Sequence, residues 1–232
     1  MGERISISSR AGAVFTAYLA RPSLAPAPAV IVLHEAFGVN ADMRQTCDAL
    51  AGQGFIAVCP DLFWRQDPGV DLVGNSKADW RHGMALYTAF DRDAGVKDVI
   101  DTMKAAAGLN GASGKVGLLG YCLGGLMSFL TAARAKVDAA VAFYGAETDK
   151  YLLEGHAISA PMLVHLAEED EFMTKEAQFA IKAALAEKPN IEVRSYPGCH
   201  HAFSRRDSAH YNAAAAVQAD SATSAFLRAW LR

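Results

Sequence analysis

Apolar residues fall into two kinds of run along this chain. Residues 29–33, 55–59, 116–119, 139–144, 162–166 and 191–196 form short, nearly continuous hydrophobic stretches, the pattern of strands covered on both faces. Between them lie longer segments whose apolar positions recur with helical spacing. Residues 41–53 follow the capping residue Asn40, residues 77–90 follow Ser76, and residues 94–107 carry an apolar stripe. Residues 123–134, 175–187 and a long segment ending at Leu231 complete the helical set. Upstream, residues 5–8 and 14–19 alternate and are joined by Ser9-Arg10-Ala11-Gly12, which predicts a hairpin. Together these elements predict an α/β fold, a mostly parallel sheet with helices on both faces and an N-terminal antiparallel hairpin. With no internal repeat and no dividing linker, residues 1–232 are expected to form a single domain. Ala25-Pro26-Ala27-Pro28 reads only as a short stiff connector, and residues 213–216 as helix-forming sequence. Open α/β sheets bind ligands beyond the carboxyl ends of their strands, so chemistry is expected there.

Composition narrows the function. Apolar residues make up 52% and charged residues 20% of the 232, enough for a large core and incompatible with wholesale disorder. A net charge of −3 without a basic stripe argues against nucleic-acid binding. Apolar runs such as 139–144 are too short to cross a bilayer, and Met1-Gly2-Glu3-Arg4-Ile5-Ser6 shows neither a signal region nor a myristoylation pattern. A soluble cytoplasmic protein is expected. Its four cysteines, Cys47, Cys59, Cys122 and Cys199, are irregularly spaced with no C-x-x-C pair, so neither a disulfide framework nor a metal site is expected.

One of these cysteines stands in a special place. Lys115-Val116-Gly117-Leu118-Leu119 runs into Gly120-Tyr121-Cys122-Leu123-Gly124-Gly125 and then into an apolar helix. This is the G-x-S-x-G nucleophile elbow with cysteine at the serine position, and its tightness requires Gly120 and Gly124. The turn lifts Cys122 to a helix N-terminus, where the dipole favours a thiolate, and aims the Leu123 amide at an oxyanion. An incidental cysteine in a glycine-rich turn is the bland alternative, and the flanking strand and helix weigh against it. A dinucleotide-binding loop is excluded, because no G-x-G-x-x-G follows the first strand of the sheet. An acid and then a base should follow the nucleophile. Ala167-Glu168-Glu169-Asp170-Glu171-Phe172 and Pro197-Gly198-Cys199-His200-His201-Ala202-Phe203 occupy the two strand ends where they are needed. Spacing alone leaves open which carboxylate and which histidine serve.

These residues resemble the dienelactone hydrolase family of α/β-hydrolases over almost the whole chain. The resemblance rests on His34-Glu35-Ala36-Phe37-Gly38-Val39-Asn40, Ala57-Val58-Cys59-Pro60-Asp61-Leu62, Phe90-Asp91 with Ala94-Gly95-Val96, the elbow, Tyr144-Gly145, Asp170 before Phe172, and His201 before Phe203 and Arg205. It implies an α/β-hydrolase fold, no cofactor and no metal, and a catalytic triad of Cys122, Asp170 and His201. It also implies that Glu35 pairs with the resting thiol and takes its proton when substrate arrives, and that the Ala36 amide joins Leu123 as oxyanion donor. Two arginines of the family bind a substrate carboxylate. Arg205 matches one of them, while the other falls on Trp80, with Arg81 one place away. Ala167 and Glu168 stand where the family carries glycine, and Ala202 where it commonly has serine.

The expected reaction is hydrolysis of an unsaturated cyclic ester of the dienelactone (carboxymethylenebutenolide) type, as in aromatic-compound degradation, through a thioester on Cys122. A carboxylesterase acting on neutral esters and a non-catalytic redox-sensing thiol protein are the alternatives. The partner is a small lactone or ester, with no nucleic acid or membrane, and the chain is expected to be a monomer. Phe37, Trp64, Trp80 and Tyr144 are expected around the pocket, with Phe37 and Tyr144 contacting substrate. Cys47 and Cys59 read as core, and Cys199 as an oxidisable neighbour of the active loop. His82, His156 and His210 have no evident partner.

Overall fold

In a computed structural model that describes residues 2–232, the apolar runs become one eight-stranded sheet of order β1-β2-β4-β3-β5-β6-β7-β8. Met1, the first residue of the N-terminal reading, lies outside the described residues. The strands are β1 Glu3–Ser8, β2 Val14–Ala20, β3 Ala27–Leu33, β4 Ile56–Pro60, β5 Ala112–Tyr121, β6 Ala139–Phe143, β7 Met162–Ala167 and β8 Ile191–Tyr196. Pairing is antiparallel for β1–β2 and β2–β4 and parallel from β4 to β8. Helices α1 Ala41–Gly52, α2 Lys77–Ala89, α3 Arg92–Ala107, α4 Leu123–Arg134, α5 Lys175–Ala186 and α6 Ala213–Leu231 fill the connections.

Every residue of β3 is buried, and its alternation divides the core. Ala29, Ile31 and Leu33 join one apolar cluster with α3, α4 and α5, whereas Val30 and Val32 join a second with α1 and α6. A strand that feeds two cores has no polar face, which is why the central runs read as continuous. The run 191–196 departs from that expectation. Strand β8 lies at the sheet edge and alternates between half-buried and exposed positions, with Glu192 and Arg194 facing outward. Strand β5 begins earlier than its apolar run, because Ala112 pairs with Ala27 ahead of a register shift. The 3-10 helix Thr148–Ala157 has no apolar period to announce it. Among the described residues, no helix is long and apolar enough to cross a membrane.

The chain crosses from β3 to β4 on one side and returns to β5 on the other. This reversal separates the segments after β3 and β5, the position at which open α/β sheets open a crevice.

One buried histidine bears on stability alone. His165 of β7 is fully buried, with Nδ1 2.8 Å from the Tyr196 hydroxyl and Nε2 3.0 Å from that of Thr223. Burial, with a smaller push from Arg194, lowers its pKa to about 3. An unfolded histidine titrates near 6.5, so between these values the unfolded state binds more protons and stability rises with pH. The contribution is therefore complete above about pH 6.5 and shrinks by about 2 kcal/mol by pH 5. Thermal melts from pH 7 to pH 5 should show a shallower decline for His165→Gln than for the wild type, although the variant starts lower. Parallel declines would remove His165 as the cause.

Candidate active site

The elbow forms as its glycines require. Cys122 takes φ 53°, ψ −113°, a strained left-handed conformation held from both sides. Its amide donates to the Phe143 carbonyl at 3.0 Å, and that of Gly124 donates to the His34 carbonyl at 3.1 Å. The turn is thus wedged between the ends of β6 and β3. A Cβ on Gly120 would overlap the Gly124 carbonyl, and one on Gly124 would overlap the Leu33 carbonyl. Both are backbone collisions that no side-chain rotation relieves. Gly124→Ala is accordingly expected to cost about 3 kcal/mol or more, or to prevent folding, whereas Gly52→Ala, with nothing within 4 Å of the added carbon, should leave Tm almost unchanged. Thermal denaturation of the pair checks this.

Two loops at neighbouring strand ends meet the elbow. His201 Nδ1 lies 2.9 Å from both carboxylate oxygens of Asp170, and both side chains are almost wholly buried. Asp170 Oδ1 also accepts from the Phe172 amide at 2.8 Å, which fixes its orientation. With Nδ1–H committed to the carboxylate, the other ring nitrogen remains for the thiol. Burial disfavours the imidazolium, but Cys122 and Asp170 outweigh it, and the His201 pKa is held well above its ordinary value. The competing candidates are engaged elsewhere. Glu169 pairs with Lys175 at 2.9 Å, and Glu171 accepts from the exposed His200 at 2.6 Å. Among the acids and histidines that spacing left open, Asp170 and His201 are the buried pair hydrogen-bonded to each other.

Glu35 is placed differently from expectation. Its carboxylate is buried, with Oε2 2.7 Å from Arg205 Nη1, and Arg205 is its hydrogen-bonding partner rather than Cys122. Oε1 and Arg205 Nε have no partner among the described residues. The guanidinium lies 4.8 Å over the Phe37 ring, and Glu35 outweighs burial to raise its pKa. Arg205 is thus already holding an anion. The amides of Ala36 and Leu123 find no acceptor among the described residues, and Ala36 borders the same pocket as Cys122.

That inner pocket is small, about 30 Å³, and lies next to an outer cavity of about 670 Å³, with Trp80, Phe172, His201 and Arg205 lining both. Trp80 stacks on Phe172 at 6.3 Å and meets Phe37 edge-on at 5.3 Å. Met84 and Tyr87 of α2 also line the inner pocket, and sequence reading missed both. The signal existed, because positions 80, 84 and 87 share a helical face. Tyr87 is kept protonated by burial and by the nearby Cys122.

Several expected neighbours lie elsewhere. Arg81 is exposed and lines neither cavity, because one residue past Trp80 turns it about 100° around α2. Tyr144 is fully buried behind the site, its ring 4.9 Å from that of His201 and its hydroxyl 2.8 Å from Ser204 Oγ, so it supports the histidine and does not line the pocket. Trp64 stacks on Phe15 and donates to Asp98 at 2.9 Å. Cys199 is 2% exposed and burial pushes its thiol pKa up, which removes it as an oxidisable neighbour. Cys47 and Cys59 are core residues as expected. His82 has a partner after all, Asp67 at 2.9 Å.

The sequence profile of the Dienelactone hydrolase family matches residues 15–231. A carboxymethylenebutenolidase of Pseudomonas putida is 39% identical over 218 residues, covering 94% of this chain and 92% of that one. Carboxymethylenebutenolidase 1 of Cupriavidus pinatubonensis is 34% identical over 223 residues, covering 96% and 95%. Among solved structures, a dienelactone hydrolase-like promiscuous phosphotriesterase from metagenomic libraries superposes with a TM-score of 0.84 at 20% identity, over 100% of this chain and 99% of that one, a likeness of fold alone.

Proposed function

Since the chain belongs to the dienelactone hydrolase family and is a hydrolase, we propose that it opens an unsaturated lactone bearing a carboxylate, with Cys122 as nucleophile. The observation that carries this reading is the thiol of the strained elbow facing a histidine whose far nitrogen is fixed on Asp170. The relatives named carboxymethylenebutenolidase supply the substrate class.

In this reading the Cys122 thiolate attacks the lactone carbonyl, and the free amides of Ala36 and Leu123 receive the oxyanion. Collapse of the tetrahedral adduct expels the ring oxygen as an enolate, whose conjugation makes departure easy and leaves the acyl group on sulfur. His201, oriented by Asp170, then takes a proton from water, which attacks the thioester and releases the thiol. The substrate carboxylate replaces Glu35 on Arg205, with Phe37 packed beneath the guanidinium. Glu35, released from its cation, takes the thiol proton. The orphaned Glu35 Oε1 supports this, because it is an acceptor already present in the pocket. For the molecule as a whole, the proposal is one domain acting as a cytoplasmic monomer on a small substrate, which sedimentation can check.

The test compares a carboxylated dienelactone with a neutral ester by ultraviolet absorbance. Selectivity for the acid of about 10- to 100-fold in kcat/KM is expected from a buried charged contact. Turnover of the neutral ester alone would leave the triad and remove the carboxylate. Turnover of neither would remove the reading.

A further inference from the structure

We propose that Glu171, His200 and His210 form a site for one divalent transition-metal ion of borderline character, such as Zn²⁺, at the rim of the outer cavity. The three side chains come from two connections, Glu171 from the one after β7 and His200 and His210 from the one between β8 and α6, and their ligand atoms all lie within 4.8 Å of one another. Glu171 Oε1 stands between the two imidazoles, 2.6 Å from His200 Nδ1 and 3.8 Å from His210 Nδ1, and the ring centroids are 4.8 Å apart. Bonds of about 2.0–2.2 Å to a tetrahedral ion place its ligand atoms roughly 3.4 Å from each other. Small rotations of these side chains, each 43–48% exposed, reach that spacing, with the ion replacing the hydrogen bond between His200 and Glu171 and the contact of His210 Nδ1 with the His201 carbonyl at 3.3 Å.

The donor set selects the ion. Two imidazole nitrogens and one carboxylate suit zinc and its neighbours, whereas magnesium and calcium take oxygen cages. Exposure leaves the fourth position to water. None of the three side chains has a part in the proposed lactone chemistry, so the inference stands apart from that reading. Their positions nevertheless bear on it. Glu171 and His200 directly adjoin Asp170 and His201, and Glu171 Oε2 accepts from the His201 amide at 3.2 Å. An ion here would act as a clasp across the two loops that carry the acid and the base.

The competing ligand pair in the same molecule is Cys122 with His201, so binding is measured on Cys122→Ser protein stripped with chelator. Zn²⁺ is titrated against a chromophoric chelator, with Co²⁺ absorption to report the ligand type. The expected result is one ion per chain with Kd in the micromolar range or tighter. Tm should rise by about 5 °C or more at a hundredfold excess over Kd. His200→Ala and His210→Ala should each weaken binding at least tenfold, and the Co²⁺ spectrum should lack thiolate charge transfer. Failure to bind in Cys122→Ser, or undiminished binding in either histidine variant, would overturn the proposal.

Discussion

Replacing Cys122 by alanine is expected to lower lactone turnover by about 10⁴- to 10⁶-fold, with little change in KM. The side chain is half-buried and contributes little packing, and its strained backbone is imposed by contacts from β3 and β6, so the fold should survive. The amides of Ala36 and Leu123 remain, and only their small residual catalysis should persist. Serine should not restore the rate, because its hydroxyl is far harder to ionise than the thiol. The same variant carries an independent signature. Cys122 is one of the two groups that hold the His201 pKa up against burial. Without it, the imidazole should titrate at lower pH in Cys122→Ala than in the wild type, which NMR of the histidine ring can follow. Undiminished turnover, or an unmoved His201, would separate the thiol from the site.

The second large effect concerns the pair Arg205–Glu35. Arg205→Gln strands a carboxylate that is 4% exposed, at a cost of about 3–5 kcal/mol, and should lower kcat/KM for the carboxylated lactone at least about 100-fold. Glu35→Gln should act in the opposite sense on binding. It frees the guanidinium for the substrate and so lowers KM, while it removes the proton acceptor and so lowers kcat. The double variant Glu35→Gln with Arg205→Gln should recover much of the stability lost in Arg205→Gln alone, because no unpaired charge remains. Calorimetry and steady-state kinetics on the four proteins close the cycle. If Glu35 only neutralises Arg205, its glutamine variant will show unchanged kcat.

Much of this molecule could be read in one dimension. The strand that runs into a nucleophile turn and then a helix, the glycines that let the elbow turn, and the two later loops that offer an acid and a base all follow from local pattern. Each is a property of a few neighbouring residues. Buried strands announce themselves because both faces meet apolar atoms, as Ala29 to Leu33 do, and the tight turn admits only glycine at 120 and 124 because its own backbone fills the space.

The tertiary structure decided what depends on long-range placement. Glu35 and Arg205 are 170 positions apart, and nothing local says that one will hold the other. The same holds for Glu171 with His200 and His210, which only the docking of two distant connections brings together. Arg81 and Tyr144 show the limit from the other side. A residue's type suggests a role, but a turn of one residue about a helix, or burial behind the base, places the side chain out of reach of substrate. Local sequence sets the backbone's shape through sterics and periodicity, whereas contacts between distant side chains are set by how the finished elements pack, which no short segment encodes.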